Sequence, residues 1–234
     1  MKEQTAFLAA GLAALGFDPV KADALTEYGA RLLDKNQVMN LTAITDPFDV
    51  AALHMLDCAH FTAVLPKDSA TLADVGTGAG FPGLVSAILR PDMAVTLLDP
   101  LEKRLGFIQE VIAALGLTNV TLRHIRGEDA GRDKALREGF DCATARAVAD
   151  LTVLGELCLP LVKVGGWFLP MKSVDSGPEL ETARPLLGEL GGMVVDHVDY
   201  TIPKTDVTHR VWRLEKRRPT PEIFPRRWAK IKKK

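Results

Sequence analysis

The chain has 234 residues, 47% of them hydrophobic and 25% charged, with a formal net charge of −1, enough for one large α/β domain or two smaller ones around a substantial core. Gly11 and Gly16 interrupt the apolar N-terminal stretch and no cleavage-site pattern follows it, so a signal peptide, a membrane span and a membrane partner are excluded and a cytoplasmic protein is expected. Cys58, Cys142 and Cys158 are odd in number and sit in apolar surroundings, and the five His are scattered, which predicts buried reduced thiols and no metal site.

Three helical patterns fill the first 65 residues. The second is predicted to start at Asp18-Pro19 and the third at Asp46-Pro47, each an N-cap residue followed by proline at the first helical position. Between them NLTAIT (residues 40–45) is too polar and too short for a helix. From Leu72 the pattern alternates. TLADV (71–75), MAVTLLD (93–99), NVTLRHIRG (119–127), FDCATARAV (140–148) and VGGWFLPMK (164–172) read as strands. FPGLVSAILR (81–90), EKRLGFIQEVIAALG (102–116) and LTVLGELCLPLVK (151–163) read as helices, the second closed by Gly116. GMVVDHVDYT (192–201) and THRVWRLEK (208–216) read as a closing antiparallel pair.

This order predicts an α/β fold: a doubly wound, mostly parallel Rossmann-like sheet with an antiparallel edge strand and an N-terminal helical extension. Residues 1–68 form the extension, 69–216 the ligand-binding core and 217–234 a basic tail. Residues 210–234 carry eleven Lys/Arg against Glu215 and Glu222, a net of +9, leaving the rest at −10. Such a tail on an acidic body points to a polyanion touched at one end, the alternative being a solvated tail. Trp212, Phe224 and Trp228, interleaved with arginines, favour RNA, with rings stacked on unpaired bases and Arg226, Arg227, Lys230 and Lys232–Lys234 on phosphates.

The first strand ends in DVGTGAGFPG (74–83), which contains both a G-x-G-x-x-G and a D-x-G-x-G. The first pattern suits a dinucleotide, whose pyrophosphate sits at the helix N-terminus. Phe81-Pro82 fills that approach, and Asp74 would place negative charge beside the pyrophosphate. The same carboxylate suits the ammonium or sulfonium of S-adenosylmethionine. Asp99, ending the second strand, can accept from ribose hydroxyls in either cofactor. Gly127-Glu128 follows the third strand, where the adenine would lie. Acidic groups at three successive strand ends favour S-adenosylmethionine held by Asp74, Gly76, Gly78, Gly80, Asp99, Gly127 and Glu128. A nicotinamide-dependent dehydrogenase is the competing class.

NLTAI (40–44), HMLDC (54–58), DVGTGAGFPG (74–83), LLDPLEKRLGFI (97–108) and ARA (145–147) occur together in an order and spacing that resembles the bacterial 16S rRNA guanine-N7 methyltransferase family, also called glucose-inhibited division protein B. The resemblance runs from about residue 20 to the C-terminus. It implies methylation of N7 of guanine 527, in the 530 loop, on 16S rRNA, the small ribosomal subunit or its precursor. It also implies cofactor contacts at Gly76, Phe81, Gly127, Glu128 and Arg146. Three positions depart from the family pattern: Ala145 and Ser173 stand where Ser and Gly are usual, and Cys58 where Ser is usual. Asn40, His54, Asp57 and Lys172 are candidates for holding the nucleotide; Asp57 could stabilise a cationic product ring, but a structural hydrogen bond within the helical region is the favoured reading of it. Guanine N7 is a free lone pair, so no general base is expected and no catalytic residue is assigned. A small-molecule methyltransferase of the same fold is the alternative function, and a monomer is the expected state.

Overall fold

A computed structural model describes residues 2–231; the predicted phosphate contacts Lys232, Lys233 and Lys234 lie outside them. The N-terminal region consists of α1 (Lys2–Ala14), α2 (Lys21–Met39) and a third helical stretch. That stretch runs through α3 (Pro47–Val50), a π-helical turn (Ala51–Leu56) and α4 (Asp57–Val64). Asp46 caps it as predicted, its Oδ1 accepting from the amides of Phe48 (2.8 Å) and Asp49 (3.0 Å). At Asp18-Pro19 the outcome differs: Lys21 N and Ala22 N donate three residues back to Asp18 and Pro19, a tighter winding that delays the α-helix to Lys21. The π-helical turn admits one more residue per turn than an α-helix, a winding common where side chains must converge.

Eight strands follow: β1 (Thr71–Val75), β2 (Ala94–Asp99), β3 (Val120–His124), β4 (Phe140–Thr144), β5 (Val162–Phe168), β6 (Met171–Ser173), β7 (Gly192–Thr201) and β8 (Thr208–Lys216). They form one sheet. β3-β2-β1-β4-β5 run parallel, and β8 pairs antiparallel with β5 and β6 on one side and with β7 on the other. The predicted antiparallel pair therefore closes the sheet, with β8 inside and β7 at the edge. The order reverses at β1/β4, which places the ligand crevice at their carboxyl ends. The crossover helices are α5 (Gly83–Leu89), α6 (Glu102–Leu115), α7 (Gly127–Ala130), α8 (Leu151–Cys158) and α9 (Gly177–Glu189).

Two expectations need correction. The helix predicted to reach Lys163 stops at Cys158, passes through a 3₁₀ turn (Leu159–Leu161) and gives way to β5 at Val162. The predicted fifth strand is likewise cut in two at Leu169-Pro170. Proline, which lacks an amide donor, accounts for both breaks. Helix α9 was not anticipated, because Pro178 and Pro185 mask its period.

Leu72 and Ala73, neighbours in β1, belong to different cores. One core joins the sheet to α1, α2, α4, α5 and α6; the other joins it to α8, α9 and the C-terminal residues, including Phe224 and, in α10 (Trp228–Ile231), Ile231. This corrects the reading of the tail aromatics. Trp212 is buried with its indole N–H on Ser176 Oγ (2.9 Å), and Phe224 is buried, so neither ring is available to stack on a base. Both are core residues. Among the described residues no helix is long and apolar enough to cross a membrane, and no cluster of His, Cys, Asp and Glu has the makings of a metal site.

Candidate functional site

The loop after β1 is shaped by three glycines with positive φ: Gly76 (70°), Gly78 (63°) and Gly80 (106°), a region that other residues enter only with strain. At Gly80 a Cβ would also lie 2.5 Å from the Tyr28 hydroxyl. That hydroxyl donates to Ala79 O, and the Tyr28 ring stacks on Phe81 at 5.2 Å, so α2 braces the loop from outside. Beneath it Asp74 is wholly buried. Its Oδ2 accepts from Thr77 Oγ1 (2.6 Å) and from Gly83 N (2.9 Å), while Oδ1 has no partner among the described residues. Burial pushes its carboxyl up to about 7. Asp99 is buried at the end of β2, with Oδ2 accepting from Gly78 N (3.0 Å) and Oδ1 from Leu101 N (2.8 Å).

This arrangement separates the two cofactor readings. The first amide of α5, where a pyrophosphate would bind, is already taken by Asp74. The loop meets its ligand with bare backbone and two buried carboxylates, acceptors suited to ammonium, sulfonium and ribose hydroxyls. The residues present fit S-adenosylmethionine. At the next strand end Gly127 opens α7, packed so closely that a Cβ would lie 3.0 Å from Val75, and Glu128 beside it is buried.

Phe81 carries the loop into a second cluster. His54 stacks on its ring at 4.7 Å and the Arg146 guanidinium lies 4.9 Å from its centroid. Arg146, beyond the end of β4, donates to Asp57 Oδ2 (2.9 Å), to Leu53 O (3.2 Å) and to His54 Nδ1 (3.1 Å). Because arginine can only donate, His54 Nδ1 accepts, and the ring proton sits on Nε2 facing Thr42 Oγ1 at 2.8 Å. Burial and the neighbouring Arg146 charge lower His54 to about 4, so the ring is neutral. Asp57 is also completely buried; its Oδ1 accepts from Tyr200 OH (2.8 Å) and His209 Nδ1 (2.7 Å). Burial alone would raise its carboxyl, but His209, Arg146 and Tyr200 together hold it below the usual carboxylate range. A buried charge persists only when paired and hydrogen-bonded in this way.

The cluster borders a cavity of about 390 Å³ whose walls include His54, Arg146, Met171, Lys172, Glu179 and His209. Lys172 pairs with Glu179 (2.8 Å) and donates to Ala149 O (3.2 Å), while Glu179 also accepts from Leu151 N at the start of α8. Both contacts secure the β4–α8 loop, in which Ala147 has φ of 57° and Val148 sits 2.8 Å from where a Gly76 Cβ would be.

The sequence-predicted residues are therefore divided. Asp74, Gly76, Gly78, Gly80, Phe81, Asp99, Gly127 and Glu128 line successive strand ends, and His54, Asp57, Arg146 and Lys172 surround the adjoining cavity. Asn40 is the exposed left-handed C-cap of α2 (φ 50°), two residues before Thr42. Arg226 is fixed to buried Glu156 of α8 (2.6 Å), with Arg227 and Lys230 exposed beyond it. Sequence reading missed Thr42, Glu179, Tyr200 and His209. Thr42 lay inside the noted NLTAI stretch; nothing in the local pattern of the other three marks them.

A family model described as rRNA small subunit methyltransferase G matches residues 21–199. The ribosomal RNA small subunit methyltransferase G of Clostridium perfringens (strain 13 / Type A) is 45% identical over 208 residues, covering 88% of this chain and 87% of its own. The protein of that name from Alkaliphilus metalliredigens (strain QYMF) is 41% identical over 228 residues, covering 96% and 95%. Among solved structures, a 16S rRNA (adenine(1408)-N(1))-methyltransferase with cosubstrate SAM from Catenulisporales acidiphilia superposes with a TM-score of 0.52 at 20% identity, covering 70% of this chain and 92% of that one. That likeness is one of fold.

Proposed function

The chain belongs to the rRNA small subunit methyltransferase G family, and from that premise we propose that it methylates N7 of guanine 527, in the 530 loop of 16S rRNA, using S-adenosylmethionine. The observation that carries the reading is the junction at Phe81. The glycine loop runs into this ring, and the His54 and Arg146 side chains that lie against the ring also line a cavity of about 390 Å³, large enough for a base.

Gly76, Gly78 and Gly80 would hold the cofactor by close backbone approach, Asp99 its ribose, and Gly127 and Glu128 would border its adenine. When bound, S-adenosylmethionine would supply a methyl carbon made electron-poor by its sulfonium, open to the N7 lone pair, with the C–S electron pair left on sulfur and the positive charge on the guanine ring. The chain is left with alignment, since N7 carries no proton to remove. Arg146 links Phe81 to the cavity wall, Lys172 brings a cation to that wall, and exposed Arg227 and Lys230 meet phosphate.

The test offers methyl-tritiated donor to naked 16S rRNA and to small subunits lacking the modification. Label recovered as 7-methylguanosine is expected, and the better substrate identifies the assembly stage. Cofactor binding by calorimetry without labelled RNA would overturn the rRNA reading in favour of a small-molecule acceptor.

A further inference from the structure

Asp57 Oδ1 receives two donors, Tyr200 OH and His209 Nδ1. A carboxylate only accepts, so His209 Nδ1 bears a hydrogen, and in the ring's neutral form the lone pair lies on Nε2. No partner for Nε2 exists among the described residues, yet the ring forms part of the cavity wall beside Ser173, its cross-strand neighbour on β6. The other basic groups in that wall are committed. Arg146 is tied to Asp57 and His54, and Lys172 to Glu179. His54 faces Thr42 and Arg146 with its two nitrogens. His209 alone of these offers a lone pair, and a buried carboxylate fixes its orientation.

An oriented acceptor distinguishes purines on their Watson–Crick edge, the edge by which proteins read bases removed from a stack. Guanine N1 bears a hydrogen; adenine N1 is a lone pair. Building on the reaction proposed above, we propose that His209 Nε2 accepts the N1–H of the target guanine, making His209 a substrate-contacting, specificity-determining residue, with Asp57 and Tyr200 as its positioning residues. As N7 takes the methyl group the ring becomes cationic and N1–H a stronger donor. The hydrogen bond is then tighter in the transition state than in the ground state, the condition for raising kcat and not merely lowering KM. No proton leaves during methyl transfer. The contact also uses the charge of Asp57, which reaches the ring through the imidazole.

The test compares reconstituted small subunits carrying guanine or 2-aminopurine at the target position; the latter keeps N7 and presents N1 as a lone pair. Wild-type enzyme is measured beside H209N, which keeps a donor for Asp57 but has nothing at the Nε2 position, and H209Q, which places an amide oxygen there. The preference of the wild type for guanine is expected to shrink about tenfold in H209N, through kcat more than KM, and to recover in part in H209Q, the size of one hydrogen bond to a polarised donor. Equal losses on both substrates, or no loss on either, would overturn the contact while leaving the methyltransferase reading intact. Failure of the wild type to methylate the guanine subunits would overturn that reading and this contact with it.

Discussion

The glycine loop and the Asp57 cluster touch at Phe81 but are built on opposite principles. The loop is contiguous, residues 74–83, and shaped by backbone: three positive-φ glycines, with Asp74 and, from the end of β2, Asp99 bonded to its amides. The cluster draws Thr42 from the loop after α2, His54 and Asp57 from the third helical stretch, Arg146 from the loop after β4, and Tyr200 and His209 from β7 and β8; Asp57 lies 152 positions from His209. A local site tolerates little change within ten residues, whereas the dispersed one depends on whether three regions of the fold dock. The second site is thus a measure of the tertiary structure, and the first of a short segment.

The largest effect is expected at Asp57. Asp57→Ala strands the guanidinium of Arg146 and two further donors in a buried place, and a loss of about 3–5 kcal/mol in urea unfolding is expected. A loss near 1 kcal/mol would make the cluster a surface ornament and break the comparison. Gly80→Ala comes next, at about 2–4 kcal/mol, from a strained φ of 106° plus overlap with Tyr28. Calorimetry should show it weakening cofactor binding as well, which Asp57→Ala need not do once stability is restored.

A pH experiment sharpens the contrast. His54 falls from its ordinary 6.5 to about 4 in the fold, so between these values the unfolded chain binds the extra proton. Stability is then full above about pH 6.5 and declines as pH falls toward 4, by roughly 2 kcal/mol at pH 5. In His54→Gln this decline should be absent from denaturation curves taken across the window; an unchanged decline would mean that the proton enters elsewhere. The smallest effect concerns Arg227 and Lys230, which are exposed. Neutralising each should lower the slope of log K against log salt for subunit binding by about one, with kcat and stability unchanged.

What could be read from sequence follows the same division. The glycine loop, the Asp46-Pro47 cap and the Gly116 stop are local signals, and each stands where it was expected. Arg146, His54 and Asp57 came from motifs, but their mutual bonding did not, and Tyr200 and His209 sit on strands whose alternation says only which face is half covered. The tail misled for a physical reason. Aromatics among arginines suit both RNA stacking and a polar-rimmed core, and Trp212 and Phe224 fill the core. The breaks at Pro160 and Pro170 were visible in the sequence, but the apolar run around them hid the change from helix to strand.

The bonds that hold residues 217–231 have a further consequence. Arg137 donates to the carbonyls of Thr220, Pro221 and Phe224, and buried Lys216, lowered by burial to about 8, meets Leu159 O and Thr220 Oγ1. The second core is therefore open until this segment arrives. During translation, while those residues remain in the exit tunnel, Phe224 is missing from its place and the Lys216 ammonium lacks Thr220. The second core thus closes only after residues 217–231 have cleared the tunnel.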